Sequence, residues 1–133
     1  MAYDESLRSL TLTADASLGI FTGVPGQPGS AVPNSGKMYT FVKVTGINQV
    51  GLAVAATDKV VGILQNKPQK PGAAATVGYV GVSNVVASAA IAAGAMVAPT
   101  ATGTAVTDGV NGRWQALTAA AVAGELISVL RVL

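Results

Sequence analysis

The sequence predicts an all-β protein, a small β-barrel or β-tulip-like domain. Three observations carry this. Apolar residues alternate with a period of two over short runs, the runs are rich in Val, Ile and Thr, and turn residues recur every 8–12 positions. Half of the 133 residues are apolar, yet Ala supplies 24 of them and Gly adds another 16. The predicted core is therefore built from small side chains with few aromatics.

Taken in order, Ser9–Thr13 (SLTLT) alternates as a strand, and Gly19–Thr22 is a second short candidate. Lys37–Thr45 (KMYTFVKVT) carries apolar groups on both faces, which predicts a strand covered on both sides. Ile47–Ala56, Val60–Leu64, Ala75–Val82, Ala95–Ala98, Arg113–Thr118 and Glu125–Leu133 complete the set. Asp108-Gly109 and Asn111-Gly112 are strong turn dipeptides. They predict a hairpin joining a short strand at Ala105–Thr107 to Arg113–Leu117. Thr45-Gly46 and Pro71-Gly72 mark further turns.

One idiom recurs. Ala89–Gly94 (AAIAAG) precedes AMVA, and Ala119–Gly124 (AAAVAG) precedes ELISVL. A weaker form is Lys70–Gly72. Each predicts a single helical turn ended by a left-handed Gly that releases the chain into a strand.

The first 36 residues differ in texture. Thr22–Gly36 holds three Pro, four Gly and two Ser, too irregular for a hairpin loop. Residues 1–36 are accordingly read as an N-terminal arm and linker, and 37–133 as the β domain. On this reading deletion of residues 1–20 leaves the β domain folded. If Tyr3–Leu10 were helical, Tyr3, Leu7 and Leu10 would share a face. Large apolar groups in a terminal arm need a surface to bury against.

Composition narrows function. There is no Cys and no His. That removes disulfides, thiolate chemistry, Cys-ligated metal sites, imidazole bases and the Ser-His-Asp triad. No metal or cofactor is expected. The six carboxylates (Asp4, Glu5, Asp15, Asp58, Asp108 and Glu125) form no pair by sequence and no calcium loop. Gly29–Lys37 (GSAVPNSGK) resembles a phosphate-binding loop but has six residues between its glycines and Met38 after the Lys. The net charge of +2, with no basic cluster interleaved with aromatics, argues against nucleic acid. No run is apolar enough to predict a membrane span, and MAYDESLRSL does not read as a secretory leader. Trp114, the single Trp, is either an interface anchor for an oligomer or a core residue.

The run FVKVTG (Phe41–Gly46), then ATDKVVGILQNKP (Ala56–Pro68), GAAATVGYVGVSNVVASAAIAAGAMV (Gly72–Val97) and AAAVAGELISVLRVL (Ala119–Leu133), together with SLTLTADASLG (Ser9–Gly19), resembles the head decoration, or capsid cement, proteins of tailed bacteriophages. The resemblance implies a non-enzymatic virion protein on the outer capsid surface. It implies major capsid protein as partner, a homotrimer, and an arm that contacts the shell. Tyr3, Leu7, Arg8, Leu10 and Leu12 are the candidate arm residues for that contact. An extended SLTLT segment would suit β-augmentation of a partner sheet. The alternative is another phage structural module: a tail tube, a spike or a fibre-associated β domain.

Overall fold

The computed structural model describes residues 7–18, 37–68 and 71–132. The predicted strand at Gly19–Thr22 and the Pro/Gly-rich segment that follows it lie outside them, as does Tyr3. Ten strands are present and no α-helix occurs among the described residues. They are β1 (Arg8–Ala14), β2 (Phe41–Gly46), β3 (Gln49–Leu52), β4 (Val60–Leu64), β5 (Ala74–Val80), β6 (Val82–Val86), β7 (Met96–Pro99), β8 (Ala105–Thr107), β9 (Trp114–Ala116) and β10 (Leu126–Arg131). The first five close a barrel in the order β1-β3-β2-β4-β5, and the last five form a second sheet in the order β6-β10-β9-β7-β8. An isolated bridge between Ala87 and Ala105 brings the outer strands of the second sheet together.

The doubly apolar strand has a direct explanation. Phe41 belongs to one buried cluster and its neighbour Val42 to the other. The same holds for Ile63 and Leu64 on β4. Successive side chains of a strand point to opposite faces, so β2 and β4 form a wall between two cores. The barrel core gathers Ala14, Leu18, Val42, Val50, Leu64, Ala75 and Val77. The larger core holds Phe41, Ile63 and Trp114 with residues of the second sheet. Hydrogen bonds tie the halves: the Phe41 amide donates to Gly103 O at 2.8 Å and the Val86 amide to Tyr39 O at 2.9 Å.

Barrel strands approach closely because Gly lines the wall. A Cβ on Gly62 would sit 2.3 Å from the Gly78 carbonyl oxygen. The passage from barrel to second sheet occurs at Gly81, whose φ is +104°. The sequence predicts one strand through Val82. Instead the chain turns there and starts β6, because a positive φ is open to Gly and costly for other residues.

Two further expectations change. The Ala-rich idioms are not helical turns. Their glycines do take the left-handed conformation, φ +89° at Gly94, +92° at Gly124 and +86° at Gly72. The Ala stretches themselves run as extended turns that pair with one another, Ile91 and Ala120 exchanging amide-to-carbonyl bonds of 2.9 Å in both directions. A one-turn helix closes few hydrogen bonds; the paired turns satisfy the same groups across the sheet. The predicted hairpin between β8 and β9 is also absent. Both strands pair with β7, one on each side, so the Asp108–Gly112 turn steps across an intervening strand.

The largest revision concerns the arm. Arg8–Ala14 pairs antiparallel with β5 from Arg8–Val80 to Thr13–Ala74, and parallel with β3 at Thr13–Gln49 and Ala14–Val50. This segment of the expected arm is a stave of the barrel. Alternation alone identifies the strand but carries no information about its partner.

Candidate functional site

Of the five candidate arm residues, four are described. Leu10 and Leu12 are half-buried, with Leu12 packed against the barrel core. Leu7 is half-buried over Gly78, close enough that a Cβ there would lie 2.8 Å from its Cδ2. Arg8 alone of the four is exposed. On the other face of β1, Ser9, Thr11 and Thr13 are exposed. Three residues in this set are thus committed to the barrel. Trp114 is 2% exposed in the larger core, 6.1 Å centroid to centroid from Phe41 and tilted 55°. It is a core residue, with no face left to anchor an oligomer.

The described carboxylates have structural occupations. Asp15 accepts from the Ser17 amide at 2.8 Å and from the Ser17 hydroxyl, which in turn accepts from the Leu52 amide at 2.8 Å. Asp108 accepts from the Val110 and Asn111 amides, both at 2.9 Å. Glu125 accepts from the Ala121 amide at 3.0 Å. Asp58 Oδ2 accepts from the Val54 amide at 2.8 Å, the Ala55 amide at 3.1 Å and Lys43 Nζ at 3.0 Å. Each shapes a local turn. No group of three possible metal ligands occurs among the described residues.

These bonds move two titrations. The Asn111 and Val110 amides hold the Asp108 carboxyl below the usual value of 3.8. The Val54 amide, followed by Lys43, does the same for Asp58. A depressed folded-state value means stability that is present above the unfolded value and lost as pH falls through the folded one. Asp58→Ala is expected to lower stability by about 1–3 kcal/mol at neutral pH, by loss of hydrogen bonds to a charged acceptor. The gap between the melting temperatures of wild type and variant should narrow as the buffer is taken towards about pH 2. A gap independent of pH would contradict this assignment.

Among the described residues an open cleft of about 430 Å³ lies at the surface. It is lined by the loop Ala56–Val60, by the buried segment Val97–Pro99, and by Asn111, Arg113, Trp114 and Arg131. Arg131 spans the two halves of the molecule. From β10 its Nη1 donates to Val61 O and Tyr79 O of the barrel, each at 3.3 Å, and its Cζ lies 6.0 Å from the centroid of the Trp114 ring. Sequence patterning does not disclose this cleft, since its walls come from four separated segments. The signal it does carry is the Asp58-Lys59 and Arg113 charges in an otherwise charge-poor chain.

The fold is thus a five-stranded closed barrel fused to a second five-stranded sheet. No family model and no curated protein matches the chain. Among solved structures it is similar to the crystal structure of the head fibre gp8.5 N base of bacteriophage phi29, at 16% sequence identity over 93% of this chain and 94% of that one, with a TM-score of 0.64. At that identity the likeness is one of fold.

Proposed function

We propose that this protein is a structural component of a tailed-bacteriophage head. In this reading it is a decoration, or cement, protein on the outer surface of the assembled capsid, where it stabilises the shell by bridging major capsid protein subunits. The observation that carries the reading is the shared fold with a head fibre base over nearly the full length of both chains. The sequence idioms that resemble decoration proteins point the same way. The role is mechanical, not catalytic, in keeping with carboxylates spent on turns. A homotrimer would let several weak contacts act together, since linked sites raise each other's effective concentration.

The fold likeness equally favours a second reading, a base domain that attaches a fibre to the head. The two differ in what the shell gains. Purified particles lacking the protein should be incubated with it, imaged by cryo-EM, and heated. A cement protein gives density on the head exterior and raises the temperature at which the shell opens. Head density without a gain in shell stability selects the fibre base. Density confined to the tail would sink both.

A further inference from the structure

Three of the chain's eight basic residues, Lys59, Arg113 and Arg131, line the same cleft. The acid on its wall, Asp58, is already occupied by Lys43 and two backbone amides. Lys59 and Arg113 are exposed and make no ion pair among the described residues. The accessible apolar floor of the cleft is supplied by half-buried Ala56 and Val60, because Val97, Ala98 and Pro99 are themselves buried. This combination selects among anions. A small hydrated anion gains nothing from the apolar floor. A single-stranded nucleic acid needs aromatic faces for its bases, and the one aromatic here, Trp114, has its face buried in the core. An extended peptide matches both features, with apolar side chains on the floor and carboxylates against the two cations.

We infer that this cleft receives a carboxylate-bearing, partly apolar peptide segment of a partner protein, held by Lys59 and Arg113. The inference does not depend on where in a virion the protein sits, because the assay needs no particle. The chain has a single Trp, and Trp114 is among the residues around the cleft, so its one indole N–H resonance gives a single resolved probe of a change there. The full ¹⁵N-labelled chain is titrated with a short blocked peptide of alternating glutamate and leucine. The same peptide with glutamine for glutamate, inorganic phosphate and oligothymidylate are titrated in parallel. The expected result is a saturable shift of the indole peak with the glutamate peptide, at least about tenfold weaker binding for the Lys59→Glu/Arg113→Glu variant, and further weakening as salt is raised. Both positions are exposed, and an unchanged near-UV circular dichroism spectrum confirms that the variant is folded. Absence of a shift, equal binding of the glutamine peptide, tighter binding of phosphate or oligothymidylate, or wild-type binding by the double variant each overturns the inference.

Discussion

Removal of residues 1–18 is expected to prevent the protein from folding, whereas removal of residues 1–6 is expected to leave a cooperative, folded domain. The longer deletion takes out β1, which is hydrogen-bonded on both sides, and with it Ala14 and Leu18 of the barrel core. Half-buried Leu12 goes as well. Each large apolar side chain contributes about 1.5–3 kcal/mol when buried. The remaining four strands then present two open edges, which are sites of aggregation. A domain with about 5–15 kcal/mol of total stability does not absorb such a loss. The shorter deletion leaves every described strand pairing in place. Circular dichroism and urea unfolding of both variants decide the matter. A cooperative transition in the longer deletion would show β1 to be dispensable. The pair of variants also gives capsid binding a clean control, because loss of binding by a truncated chain that does not fold says nothing about an arm.

Trp114→Ala is expected to cost about 3–5 kcal/mol, near the upper end for a buried aromatic. The reason lies in its neighbours. The cluster around Trp114 includes Ala53, Ala87, Ala105, Ala116 and Ala120. Side chains this short have no rotamers with which to fill a void, so the site cannot collapse and the full cavity penalty remains. Arg131 loses the ring beneath its guanidinium as well. Trp114→Phe should recover a large part of the loss. Urea unfolding followed by circular dichroism measures both. A cost under about 1 kcal/mol for the Ala variant would mean that Phe41 and the second sheet close over the gap.

How much of the fold is legible in the sequence follows from the range over which each signal acts. Period-two alternation is local, and it locates β1, β4, β7, β8 and β10 closely. The two apolar faces of Phe41–Val44 give away a strand between two cores at its first residues. The Ala-Gly idioms yield their left-handed glycines but not the cross-sheet pairing of Ile91 with Ala120, because that pairing joins residues a long way apart. The break at Gly81 is illegible for a related reason: ATVGYVGV continues a strand pattern straight through it. Pairing errors have the same origin. Turn dipeptides at Asp108 and Asn111 signal a reversal but not whether the next strand lies adjacent or one further on. The cleft is the least legible feature, being assembled from four segments whose charges are single residues.

The antiparallel seam between β1 and β5 has a consequence for how the chain reaches this structure. Thr13 meets Ala74 and Arg8 meets Val80, partners 61 and 72 residues apart along the chain. During synthesis β1 emerges first and must wait, unpaired on that side, until the whole of β5 has left the ribosome. Closing so long a loop precedes any reward from the contacts it makes. Barrel closure is therefore expected to be the slow step of folding. A nascent chain stopped before Ala74 would expose SLTLT as a bare strand, which makes that segment the place where misassembly between neighbouring copies begins.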